Sequence, residues 1–208
     1  MTKKERAGRA CQILKERYPE ALCSLVYDKP YELMIATRLS AQCTDARVNI
    51  VTRTLFVQYP TLESFAQADL TELEEAVRPC GFYRTKAKSI KEAAARLLEV
   101  YGGVLPDTME ELLTLPGVGR KTANLLLGDV YGKPAVVADT HFIRITGRLG
   151  LTGHKEPEKV EHDLRALLPP EESSDFCHRV VLFGRDTCTA RKPRCEGCPL
   201  QEICPSGV

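Results

Sequence analysis

Four cysteines fall close together near the end of the chain, as Cys188-x6-Cys195-x2-Cys198-x5-Cys204. Thiolates at such spacing can complete a tetrahedral zinc site or hold an iron–sulfur cluster. The surrounding stretch is broken by Pro193 and Pro199 and has little apolar content, so bound metal would supply its ordering energy. Zinc sites more often pair two Cys-x2-Cys knuckles, and only one is present here. By spacing alone, zinc and a [4Fe–4S] cluster are equally good readings, with four free surface thiols as the bland one.

A second group of residues points to different chemistry. In Leu115-Pro116-Gly117-Val118-Gly119-Arg120-Lys121-Thr122-Ala123 two glycines one residue apart form a tight turn that leaves room for a close partner. The amides that follow open a helix, and a helix N-terminus favours a phosphate. The segment reads as a helix-hairpin-helix that grips a nucleic-acid backbone without reading bases, or as an ordinary helix–helix turn. Lys121 sits at the start of the second helix, next to Arg120. The helix dipole and the neighbouring cation both favour a neutral, nucleophilic amine there; a solvated surface lysine is the alternative. Asp139, in Val137-Ala138-Asp139-Thr140-His141, precedes a further helix and reads first as its N-cap.

The elements that must position these groups are helical. Ile90, Ala93, Ala94, Leu97, Leu98 and Tyr101 recur at helical spacing, and Val160, Leu164, Leu167 and Leu168 repeat the pattern. Further helices are expected near 5–18, 29–39, 45–58, 69–78, 108–114, 120–131, 140–149 and 173–184, with Thr71 and Glu74 as a capping box for one of them. Ala135–Ala138 is the only strand-like run, so the fold class is all-α. Short Gly/Pro connections such as Gly102-Gly103 and Pro169-Pro170 separate the helices, and none resembles a flexible interdomain linker.

Composition excludes several classes. The 208 residues are 43% apolar and 27% charged, which rules out wholesale disorder. No uncharged apolar run is long enough to cross a membrane. The charged start, Met1 to Arg6, lacks the apolar core of a signal peptide, so a soluble intracellular protein is expected. Without export, nine cysteines argue for metal ligation rather than a disulfide framework. Cys11, Cys23, Cys43, Cys80 and Cys177 are read as buried thiols. The net charge is only +1, so any nucleic-acid contact must come from local clusters.

Taken together, Leu39-Ser40-Ala41-Gln42-Cys43-Thr44-Asp45, Gly81-Phe82-Tyr83-Arg84-Thr85-Lys86-Ala87, residues 115–124, Ala138-Asp139-Thr140-His141 and the four-cysteine tail closely resemble the endonuclease III family of helix-hairpin-helix DNA glycosylases. The resemblance runs from about Glu5 to Cys204. It implies two closely packed helical domains with a cleft between them. A six-helix barrel would span 23–132, and an iron–sulfur domain would combine 1–22 with 133–208. It also implies that Cys188, Cys195, Cys198 and Cys204 hold a structural [4Fe–4S] cluster, and that Lys121 and Asp139 meet at the mouth of the cleft.

The implied function is a bifunctional DNA glycosylase/AP lyase of base excision repair. A damaged pyrimidine must be flipped out of the duplex, at a cost of a few kcal/mol. Gln42 and Phe82 match the positions that wedge into the vacated stack, although the family often carries an aliphatic residue where Phe82 stands. Lys121 would attack C1′, expel the base and form a Schiff base, and strand cleavage by β-elimination would follow. Asp139 would help deprotonate Lys121 and stabilise the charge developing on the sugar. The related adenine glycosylases lack this lysine. DNA contacts are expected from the hairpin at Gly117, Val118, Gly119 and Arg120, and from Arg191, Lys192 and Arg194 in the cluster loop. Arg84, Lys86, Lys88 and Lys91 read as a solvated helix face, His141 as a supporting group, and Asp45 as an N-cap as readily as a cleft residue.

The expected substrate is double-stranded DNA with oxidised or ring-saturated pyrimidines or abasic sites. The expected setting is a monomer in the nucleoid-associated cytoplasm of a prokaryote, with no membrane partner. Two rivals remain: a monofunctional glycosylase, and a non-catalytic DNA-binding module stapled by zinc.

Overall fold

A computed structural model describes residues 1–207. In chain order the helices are α1 (Lys3–Arg17), α2 (Pro30–Ser40), α3 (Asp45–Gln58), α4 (Leu62–Gln67), α5 (Leu70–Val77), α6 (Tyr83–Tyr101), α7 (Met109–Leu112), α8 (Arg120–Asp129), α9 (Thr140–Arg148), α10 (Pro157–Leu167) and α11 (Ser173–Asp186). Single 3-10 turns occupy Arg78–Cys80, Pro170–Glu172 and Gln201–Ile203. Among the described residues there is no strand, and the all-α expectation holds.

Three local expectations are corrected. Helix α4 has no counterpart in the apolar periodicity because six residues are too few to show one. Its start is fixed by reciprocal bonds between Thr61 and Ser64, and its burial by Leu62 and Phe65. The cap of α5 is Asp69, whose Oδ1 accepts from the amides of Thr71 (2.9 Å) and Glu72 (3.1 Å); Thr71 lies inside the helix and caps nothing. Ala135–Ala138 is buried but is not a strand. Its amides turn to α11 side chains, Ala135 N–H donating to Ser173 Oγ (3.1 Å) and Val137 N–H to Cys177 Sγ (3.3 Å). A buried backbone needs partners, and here side chains provide them.

The chain divides into two compact units, residues 24–131 and residues 1–23 with 132–208. In the first, α6 is the central element, packed against α2, α4 and α5. Ile90, Ala93, Ala94 and Leu97 form its buried stripe, facing Leu33, Leu39, Phe65 and Leu73. In the second, α1 packs on α10 and α11, and α9 on α11. Phe142 and Phe176 meet edge to face at 6.0 Å, both without exposed surface. Of the five scattered cysteines, Cys11, Cys80 and Cys177 are buried, while Cys23 and Cys43 are half-buried. Burial pushes the Cys11 thiol up to about 12.

An ion network centred on the buried Arg179 ties α11 to the start of the chain. Arg179, 3% exposed, donates to Glu172 Oε2 (2.6 Å) and to Asp175 Oδ2 (3.0 Å), and Lys15 of α1 also pairs with Glu172. Bonds from Lys15 and Arg179 hold the Glu172 carboxyl below its ordinary 4.5. A carboxyl with a lowered folded-state value stabilises the fold above its unfolded value, and that contribution is lost as pH falls through the folded value. Glu172 is 21% exposed and Arg179 keeps Asp175, so losing the carboxylate leaves the buried guanidinium only partly unmet, at about 1–3 kcal/mol. Glu172→Gln is therefore expected to lower stability by about that amount at pH 7. Urea unfolding followed by circular dichroism should show the gap to wild type closing as pH drops below 4.5.

Candidate functional site

In the turn between α7 and α8, the exposed glycines Gly117 and Gly119 present backbone outward. Leu115 and Val118 are buried beneath it. Gly117 has φ +81°, and a Cβ there would come to 3.0 Å from the Arg38 side chain and from Ser89 Cβ. Arg38 Nε in turn donates to Ser89 Oγ (2.7 Å), so the turn rests on α2 and α6 together. Gly119 is extended and is the N-cap of α8, and no side chain caps that helix. The first amides of an α-helix have no acceptors within it, so an uncapped start is a site for an anion. Lys121 is the second residue of α8 and is exposed, as are Gly117, Gly119 and Arg120. Val118 can contribute only through its backbone.

Asp139 lies in the other unit and caps α9, its Oδ1 accepting from Phe142 N–H at 2.7 Å. This fixes the half-buried carboxylate and leaves its second oxygen available. Two residues on, His141 is half-buried and its Nδ1 lies 3.2 Å from Arg144 Nη2. Burial lowers its pKa, against the pull of Asp139, so the imidazole is neutral at physiological pH and serves as packing against α11. Gly184 of α11 leaves no space there: a Cβ would stand 2.7 Å from His141 Nδ1. Asp45 is not a cap. Thr44 caps α3, and Asp45 accepts instead from Ser24 Oγ (2.6 Å).

Gln42 and Phe82 share an unexpected property. Among the described residues they are the two non-glycine positions with positive φ, 55° and 48°. The left-handed region costs a residue with a Cβ roughly 1–2 kcal/mol. Both are exposed, Phe82 by 65% of its surface, which is unusual for an aromatic ring.

The basic stretch at the start of α6 is not one solvated face. Arg84 approaches Glu74 (3.9 Å), Lys88 approaches Glu92 (3.8 Å), and Lys91 donates to the Ala68 carbonyl. Lys86, in contrast, is 1% exposed. The signal was present in the sequence: Lys86 precedes Ile90, Ala93 and Leu97 at helical spacing and so falls on their apolar stripe. Arg191, Lys192 and Arg194 are exposed in the tail between the first two clustered cysteines.

The four tail cysteines are half-buried and together line one cavity of about 70 Å³. Burial pushes the Cys198 thiol up, with the proximity of Cys188, Cys204 and Cys195 adding to it. Four such thiolates need a positive centre among them. Four thiols lining one cavity match in number and type the ligand set of an iron–sulfur cluster.

Residues 35–170 match the HhH-GPD superfamily of base excision DNA repair proteins, and residues 188–204 match the iron-sulfur binding domain of endonuclease III. Endonuclease III of Synechocystis sp. is 48% identical over 206 residues, covering 99% of this chain and 94% of its own. The chain belongs to the endonuclease III family. The solved structure of a non-covalent endonuclease III–DNA complex superposes with a TM-score of 0.93 at 42% identity, covering 100% of this chain and 97% of that one. A trapped covalent endonuclease III–DNA intermediate, an estranged-adenine complex, superposes equally well, with a TM-score of 0.93 at 42% identity, 100% of this chain and 98% of that one.

The iron-sulfur domain match over residues 188–204 makes the resident cofactor a [4Fe–4S] cluster. Cys188, Cys195, Cys198 and Cys204 would hold it. Arg148, which no sequence signal marks, organises their loop from the end of α9. Its Nη1 donates to Cys188 Sγ (3.1 Å) and Thr189 O (2.8 Å), its Nη2 to Ala190 O (2.9 Å). Its own carbonyl accepts from Ser206 Oγ (2.9 Å). Groups that orient ligands in this way matter to metal retention roughly ten-fold or more. Arg148→Met is expected to lose its cluster at least about ten-fold faster under chelator, followed as decay of the visible absorbance of the purified protein.

Proposed function

We propose that this protein excises oxidised or ring-saturated pyrimidines from double-stranded DNA, with Lys121 as the nucleophile and Asp139 as the assisting carboxylate. The exposed primary amine of Lys121, two residues into a helix whose start is uncapped, is the observation that supports this most. Phosphates held at the amides of Gly119 and its successors would bring the sugar–phosphate backbone to that amine. Gln42 and Phe82 would fill the gap left by the flipped nucleotide.

The chemistry follows from the groups. The Lys121 amine bonds to C1′ as the C1′–N bond to the base breaks, and the base departs with the electron pair and takes a proton. The sugar ring opens to a Schiff base, an electron sink that acidifies the C2′ proton. Loss of that proton drives electrons toward C3′, where the C–O bond breaks and releases the 3′ phosphate; water then frees the lysine. Asp139, with one oxygen committed to capping α9, would accept a proton from Lys121 and face the positive charge that develops on the sugar. When bound, the cluster holds the tail that carries Arg191, Lys192 and Arg194, whose contacts with phosphates would make binding salt-dependent and indifferent to sequence.

No helix of the described residues is long and apolar enough to cross a membrane. With a bacterial relative covering nearly the whole chain, the proposed setting is a monomer acting on nucleoid DNA.

Borohydride trapping on a duplex with one abasic site tests the assignment. Wild type should form a covalent adduct, Lys121→Ala none, and Asp139→Asn should slow base excision by about 100-fold or more. Base removal by wild type without an adduct would instead favour a monofunctional glycosylase.

A further inference from the structure

Lys86 and Glu32 are the buried charged side chains among the described residues of the 24–131 unit, and the proposed reaction uses neither; Lys86 is the more deeply buried. A buried ammonium is costly unless every proton finds an acceptor. Here all three do. Lys86 Nζ donates to Leu39 O (2.9 Å), Ala41 O (2.8 Å) and Cys80 O (2.8 Å). These acceptors are not scattered. Leu39 lies in the last turn of α2, and Cys80 ends the 3-10 turn Arg78–Cys80, so two helical C-termini direct their negative ends at one cation. The Ala41 carbonyl belongs to the peptide bond that leads into Gln42, and Cys80 is separated from Phe82 only by Gly81.

One nitrogen atom therefore binds the two loops that carry the left-handed residues. Residues in that region persist only where surrounding structure holds them. The partners of Lys86 do so from beneath, in the core, while Gln42 and Phe82 remain exposed above. Beside it, the Cys80 side chain is hydrogen-bonded to that of Cys43, a second link between the same two loops.

We propose that Lys86 is a positioning residue that fixes Gln42 and Phe82 in a single register, so that both enter the duplex as one rigid unit. This rests on the reading of Gln42 and Phe82 as inserted residues. Burial lowers the pKa of Lys86, opposed by the neighbouring Cys80 and Cys43 and supported by Arg38, but its three carbonyls favour the ammonium form. Methionine in its place would fill the volume and release both loops.

The test uses the cluster-loaded protein and three variants: Lys86→Met, Gln42→Ala/Phe82→Ala, and all three substitutions combined. One substrate is a duplex with thymine glycol opposite 2-aminopurine, whose fluorescence rises on unstacking. The other is a single strand with an abasic site, which has no stack to open. Lys86→Met is expected to retain helicity and cluster absorbance and to form the borohydride adduct on the single strand within two-fold of wild type. On the duplex it should lose the fluorescence rise and slow base excision at least ten-fold. Adding Lys86→Met to the Gln42/Phe82 variant should cost nothing further, because its effect passes through those residues. Equal losses on both substrates, or losses that multiply, overturn the proposal. If Lys86→Met does not fold, Lys86→Gln is read in the same way, and failure of both to fold makes Lys86 a folding residue and also overturns it. Failure of the functional reading is distinct: wild type would then form no adduct, or the Gln42/Phe82 variant would behave as wild type on the duplex.

Discussion

A helix ends in carbonyls that none of its own amides can reach, and in each unit of this protein such carbonyls meet a cation from another helix. In residues 24–131 the cation is Lys86, shared between the end of α2 and the 3-10 turn before Gly81. In the other unit Arg144 donates to Gly184 O (3.1 Å) and Cys188 O (3.0 Å) at the end of α11, and Arg148 continues the pattern along Cys188–Ala190. A charge removed from water must be met by several acceptors at once, so each of these cations dictates the path of the chain around it. The segments so dictated are the loops of Gln42 and Phe82 and the start of the cysteine tail.

The beginnings of helices are used in the opposite sense. Most starts here are closed by a side chain, such as Thr2 for α1, Thr44 for α3 and Asp69 for α5. Helix α8, like α6, α10 and α11, has no side-chain cap, and its start at Gly119 leaves amides for the proposed phosphate contact. Helix α9 is closed by Asp139, but with one oxygen only. Capping and chemistry are therefore not competing explanations of that residue. The bond to Phe142 N–H sets the plane of the carboxylate, and orientation is what an assisting carboxylate needs.

How much of this could be read from the sequence depends on the kind of signal. Residues whose roles depend on near neighbours were legible: the glycine turn before Lys121, Asp139 ahead of its helix, and the spacing of the four cysteines. Long helices such as α6 declared themselves through periodicity, whereas α4, at under two turns, could not. Lys86 and Arg148 were missed for a different reason. Their partners lie 45 and more residues away for Leu39 and Ala41, and about 40 away for the cysteine tail, and backbone carbonyls carry no sequence identity. Only the position of Lys86 on an apolar stripe hinted at burial, and counting it among nearby lysines obscured the hint. The strain at Gln42 and Phe82 was equally silent, since neither residue type announces a left-handed backbone.

That strain has a physical use once Lys86 is included. Opening a duplex costs a few kcal/mol before any chemistry begins. A flexible loop that ordered itself on contact would add its own conformational entropy to that cost, roughly 1–2 kcal/mol for each residue fixed. Residues already held in an unfavourable conformation have met this cost during folding, where burial of the surrounding core offsets it. An exposed phenylalanine ring is unfavourable in water and favourable between bases, so in the proposed role it would supply part of the driving force for insertion. The buried ammonium converts the stability of the α2–α6 core into the rigidity of two exposed side chains, and it does so at a point where a neutral residue could not hold three carbonyls together.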